Sequence, residues 1–156
     1  MTNATLQKQI FQAACAFIGL GMIAGAFGSH LLKGHIKDSE MLGFETAVRY
    51  QLFNGIGLLI IAIGIRRIKE DVAKVVFALI VIGILLFSGS LYLLTTSIIW
   101  ANVRLKWLGI ITPFGGLSLI SAWLYLAYKG FKPSSNGSSG DKIMKMQRRT
   151  QPSDEE

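Results

Sequence analysis

The chain has 156 residues and a formal charge of +7, yet 51% of it is apolar and only 16% is charged. A soluble domain carries about a quarter of its residues as charges, so this composition disfavours a water-soluble globule. One cysteine and two histidines exclude an internal disulfide, a zinc site built on Cys/His clusters and an iron–sulfur centre.

A helix needs about 20 predominantly apolar residues, at about 1.5 Å each, to cross a hydrocarbon layer of about 30 Å. The first such run is Ile10 to Leu32, which carries no formal charge. It outlasts the roughly 7 to 15 residues of a cleavable signal core, so it reads as a span and not as a signal peptide. Gly21, Gly25 and Gly28 fall on one stripe of this helix, as small residues do where a neighbour docks closely. Packing within the bundle is the first reading of that stripe, and a dimerisation face is the second. Cys15 lies among apolar residues, where its thiolate is disfavoured, and reads as a packing residue.

The first loop contains Met41, Leu42, Phe44 and Val48 near helical spacing, with Glu45 and Arg49 one turn apart. This pattern predicts a short interfacial helix before the second span and an interfacial Glu45–Arg49 ion pair. The second span covers about residues 47–65. Val75 to Asn102 and Trp107 to Tyr128 are free of charge and give spans at about 75–99 and 107–128. Pro113 lacks an amide proton and is expected to kink the fourth span near Gly109 to Pro113. Thr112 and Gly116 share a stripe of that helix, Gly116 being its packing glycine. The sequence thus predicts an all-α membrane protein, a bundle of four transmembrane helices within residues 1–132. From Pro133 a Ser/Gly-rich and then mixed-charge stretch predicts a disordered tail over 133–156.

Lysine and arginine concentrate on cytoplasmic segments. The amino terminus, the middle loop (Arg66, Arg67, Lys69, Lys74) and the tail hold eleven such residues against five in the other two loops. Both termini, and the tail, are therefore expected on the cytoplasmic side. The basic middle loop reads as a contact for anionic lipid before a nucleic-acid site, and no nucleic-acid partner is expected.

With that threading, His30, Gln51, Asn54, Ser88, Tyr92 and Thr112 all fall in the outer half of the bundle. They form a candidate polar cluster able to hold water or a small ligand. His30 lies at the margin of the membrane and reads as interfacial or structural before functional. Serine and threonine in this set are also able to bond their own backbone. The spans hold no carboxylate below the outer interface and the chain shows no catalytic motif. No enzyme activity, cofactor or metal is expected.

Four segments together resemble the bacterial inner-membrane family known as domain of unknown function 423: Gly25-Ala26-Phe27-Gly28-Ser29-His30, Thr46-Ala47-Val48-Arg49-Tyr50-Gln51, Phe87-Ser88-Gly89-Ser90-Leu91-Tyr92 and Ile111-Thr112-Pro113-Phe114-Gly115-Gly116. Transmembrane protein 256 of animals looks like a relative. Ser29 stands where the family usually has alanine, and Asn54 where a histidine is common. The resemblance implies a small four-helix protein of the plasma membrane and brings no activity with it. Two functions follow as expectations. The first is a noncatalytic accessory or scaffold that packs against itself or another membrane protein, with lipids as its surroundings. The alternative is a small-solute or lipid-binding transport protein using the outer polar cluster.

Overall fold

The structure is a computed structural model that describes residues 3–130 except 102, 104 and 106, together with Met146. Helix α1 (Asn3–Phe27) continues into a π turn at Gly28–Leu32. Helix α2 (Asp38–Gly64) ends in a 3-10 turn at Ile65–Arg67. The third span is α3 (Glu70–Ile84), a π turn at Leu85–Gly89 and α4 (Ser90–Trp100), and the fourth is α5 (Leu108–Lys129). Four of these continuous segments are long and apolar enough to cross a membrane, which gives the four-span all-helical fold the sequence predicts. The tail expected from Pro133 lies outside the described residues, Met146 excepted.

The ends of the helices follow local chemistry. The first turn of α2 carries Asp38 and Glu40, whose negative charge complements the exposed amide end of the helix. Glu40 Oε2 also accepts a 3.1 Å hydrogen bond from the Lys37 backbone N–H. Gly34 makes the sharp turn between α1 and α2 at φ +88°, a left-handed conformation that side chains resist. Glu70 and Asp71 open α3, with Glu70 paired to Lys74 at 2.7 Å, and Lys129 closes α5.

The segment expected to be a separate interfacial helix is helical, but it is the unbroken start of α2. A helix is not confined to the hydrocarbon layer, and nothing between Asp38 and Glu45 breaks the hydrogen-bond ladder. Pro113 sits inside α5 without ending it.

Helix α1 docks on α2, while α3 and α4 pack against α5. Gln7 Nε2 donates to Ala62 O at 2.9 Å, and Lys69 N donates to Gly130 O at 3.0 Å. The start of α1, the α2–α3 turn and the end of α5 therefore meet at one end of the bundle. In this half the core is purely apolar, with Leu6, Ile10 and Ala14 against Leu58, Ile61, Val76, Ile80 and Leu119. The buried polar side chains lie toward the other half. Outward faces present large apolar residues such as Ile23, Phe53, Ile63, Phe114 and Leu124, as a lipid-bathed surface requires.

The glycine stripe of α1 is used inside the bundle. Gly21 faces Leu52, Gly25 faces Val48 and Gly28 faces Phe44, all on α2. Cys15, read from the sequence as a packing residue, is exposed. Between helices the tightest glycine approach is at Gly115 and not at Gly116. A β-carbon at Gly115 would collide with the backbone of Leu86 and Phe87 in the π turn, whereas one at Gly116 would make ordinary contact with the Phe87 ring at 3.5 Å.

Candidate functional site

The polar half of the bundle is organised by α2. Gln51 and Asn54 lie three residues apart on its buried face. Gln51 Nε2 donates to Phe17 O of α1 at 2.9 Å, and Gln51 Oε1 accepts from the Tyr92 hydroxyl of α4 at 3.0 Å. One amide thus joins three helices, and only this orientation of the amide serves both partners. The Tyr92 ring is fixed by Phe44, 4.9 Å away between ring centroids.

Asn54 Nδ2 donates to Tyr50 O on its own helix at 2.8 Å, while Oδ1 accepts a 2.9 Å bond from Nε1–H of Trp123. Ser88 lies in the π turn and donates to Ala47 O of α2 at 2.9 Å. The hydroxyls of Ser90 and Thr112 are 2.7 Å apart and join α4 to α5. Ser118 of α5 donates to Leu79 O of α3 at 2.8 Å.

Five of the six residues expected in the cluster, Gln51, Asn54, Ser88, Tyr92 and Thr112, therefore take part in buried or half-buried bonds, but not as one pocket. Gln51 and Tyr92 bond to each other, while Asn54, Ser88 and Thr112 form separate links to other helices. His30 does not join them. It is exposed in the π turn that ends α1, outside the face that carries Gly21 and Gly25 to α2. Arg49 and Glu45 are also exposed, and the ion pair expected between them is not formed. Trp123, Ser90 and Ser118 were missed, because the partner of a polar side chain two helices away leaves no mark on local spacing. Gly115 did leave one, being three residues from Thr112 where Gly116 is four. Both spacings share a helix face.

Among the described residues, no buried side-chain nitrogen or oxygen lacks a hydrogen-bond partner. A cleft of about 250 Å³ reaches Gln51 and Tyr92 from between α1 and the third span, with walls of Phe17, Leu20, Ala24 and Ile84. Both polar groups that it meets are already bonded. Among the described residues, no three His, Cys, Asp or Glu side chains converge where a metal would sit. A larger cleft of about 500 Å³ opens at the end of the bundle away from Asn3 and Lys129.

Residues 24–116 match the family described as "Protein of unknown function (DUF423)". The chain belongs to this family. Among DUF423 relatives, a UPF0382 membrane protein of Staphylococcus haemolyticus is 40% identical over 125 residues, covering 79% of this chain and 93% of the relative. A UPF0382 membrane protein of Bacillus subtilis is 34% identical over 125 residues, with 79% and 94% covered, and one of Haemophilus influenzae is 37% identical over 130 residues, with 82% and 98% covered. No solved structure matches. The DUF423 match runs from the end of α1 to the middle of α5 and so includes Gln51, Asn54, Ser88, Tyr92, Ser90 and Thr112, but not Trp123.

Proposed function

We propose that the chain is a noncatalytic accessory or scaffold protein of the bacterial inner membrane, with both termini cytoplasmic, that packs against a second copy or another membrane protein. The observation that carries this reading is that the buried polar side chains of the bundle already have hydrogen-bond partners. The amides and hydroxyls able to bind or transform a solute inside the bundle are bonded to one another or to carbonyls. Water inside a membrane protein follows unsatisfied polar groups, and among the described residues no buried side-chain nitrogen or oxygen lacks a partner.

The outward side of α1 supports packing against a partner. Cys15, Ala16 and Ile23 are exposed there, and a β-carbon at Gly19 would meet nothing within 4 Å. Small residues on a lipid-facing surface allow another helix to approach closely. The inner-membrane orientation rests on the lysine and arginine asymmetry, eleven residues against five. Lipid is the second partner: at the basic end a cleft of about 300 Å³ is lined by Ile60, Trp123 and Leu126 with Arg67 beside it, an arrangement suited to an acyl chain and an anionic head group.

Extraction in mild detergent followed by native mass spectrometry tests the proposal. A retained membrane protein, or a dimer that Cys15 oxidation locks in intact membranes, is the expected result. A clean monomer at every concentration, with no co-purifying protein, contradicts it. Solute flux in liposomes that is abolished by Asn54→Leu, with the bundle still folded, would instead favour the transport reading.

A further inference from the structure

The 500 Å³ cleft lies where the π turn of α1, the loop over residues 33–37 and the first three turns of α2 come together. Phe44 and Val48 give it an apolar wall, held against Gly28 and Gly25 of α1. Four charged side chains line it: Lys33, Asp38, Glu45 and Arg49. Among the described residues none of the four makes an ion pair or a side-chain hydrogen bond, although Glu45 and Arg49 stand at the i, i+4 spacing where opposite charges ordinarily meet. Two positive and two negative groups thus face one cleft without neutralising each other.

Their order along the helix is informative. Arg49 lies about 6 Å beyond Glu45 and about 16 Å beyond Asp38 along α2, at about 1.5 Å per residue, and in the direction of the apolar core. The carboxylates are therefore toward water and the guanidinium toward hydrocarbon. A phospholipid with an ammonium head group presents its charges in the same order, with the ammonium outermost, the phosphate beneath it and the acyl chains beneath that. Guanidinium groups bind phosphate through paired N–H donors, and carboxylates accept hydrogen bonds from a primary ammonium. A quaternary ammonium has no N–H to donate, and an aromatic cage is what would hold it. Phe44 is the single aromatic side chain among those lining this cleft.

We propose that this cleft binds the head group of a zwitterionic phospholipid bearing a primary ammonium, with the phosphate on Arg49 and the ammonium on Glu45, one helical turn further out. The site is independent of which protein the bundle packs against, so its failure leaves the accessory reading standing.

The test is lipid binding by the full chain in detergent, read by native mass spectrometry and by thermal shift. The probes are phosphatidylethanolamine, phosphatidylcholine and phosphatidylglycerol of matched acyl chains, together with free phosphoethanolamine. Phosphatidylethanolamine is expected to bind about tenfold more tightly than phosphatidylcholine, a difference of about 1.4 kcal/mol. Glu45→Gln should remove that preference, whereas Arg49→Gln should weaken both lipids about equally. Neither side chain is bonded within the bundle, so the unfolding midpoint in lipid-free detergent should be unchanged in both variants. Equal binding of the ethanolamine and choline lipids overturns the proposal, as does tighter binding of phosphatidylglycerol. An equal shift with free phosphoethanolamine at the same concentration would mark a soluble-ligand site and also overturn it. If a variant shifts the lipid-free midpoint, the same contrast is read with Glu45→Ala and Arg49→Ala, and an unchanged lipid preference in Glu45→Ala counts against the site.

Discussion

Trp123 of α5 meets α2 twice. Its indole N–H donates to Asn54 Oδ1 at 2.9 Å, and its ring covers Gly57, where a β-carbon would stand 2.5 Å from the indole. Along α2, Asn54 is about 13 Å from Glu45 and about 18 Å from Arg66, so this contact sits near the middle of the apolar layer. An amide there is costly unless bonded, and Trp123 satisfies its second polar atom.

A double-mutant cycle with Asn54→Ala and Trp123→Phe measures that bond. Interhelical hydrogen bonds in membrane proteins average about 0.6 kcal/mol and reach about 1.7, so a coupling within that range is expected from equilibrium unfolding in detergent. Coupling indistinguishable from zero would mean that the two side chains do not meet.

Tyr92→Phe retains the ring against Phe44 and removes the hydroxyl that Gln51 Oε1 accepts. The expected loss is about 1 kcal/mol, because the amide oxygen is left buried without its donor. Gln51→Leu in the same background should then cost less than in the parent protein, since no orphaned acceptor remains. Additive losses in thermal unfolding would break the assignment.

Gly115 and Gly116 make a matched pair. Gly115→Ala must push α5 away from the Leu86–Phe87 backbone and is expected to lower stability by about 1–3 kcal/mol, the usual cost of forcing atoms into a packed interior. Gly116→Ala has room beside the Phe87 ring and should be close to neutral. Unfolding midpoints for the two variants give the comparison, and similar losses would contradict the packing of α5 on the π turn.

Threading predicts accessibility. With Cys15 replaced by alanine, a cysteine at residue 35 and one at residue 137 are expected to react with an impermeant maleimide from opposite sides of the inner membrane in intact cells. Labelling from one side only would refute four crossings with both termini cytoplasmic.

Three of the crossings were legible in the sequence because absence of charge over some 20 residues is a property of each segment alone; the second, charge-free only from Tyr50 to Ile65, needed a helix that starts upstream of Arg49. The start of α2 was less so: Glu45 and Arg49 place the hydrocarbon boundary near residue 47, but the helix itself begins at Asp38, in the headgroup region where charges do not interrupt it. The polar residues were recognisable as a set, whereas their pairing was not. The π turns at Gly28–Leu32 and Leu85–Gly89 are one reason. Each inserts an extra residue into the helical repeat, so a face projected on an ideal helix changes beyond it. Ser90 lies just past one such turn and faces Thr112, where ideal spacing drew attention to Ser88. His30 lies within the other. It was grouped with the cluster by depth alone, a coordinate that says nothing of direction around the helix.

The claim on which the account turns is that the polar centre of the bundle is closed, and Ser88→Cys in a Cys15→Ala background tests it most directly. Ser88 is 1% exposed, and cysteine nearly matches its volume. In native membranes the thiol should resist a small, charged methanethiosulfonate applied from either side, and react readily once sodium dodecyl sulfate unfolds the protein. Rapid modification of the folded protein from one side would reveal a water-filled path to the centre of the bundle and contradict the account.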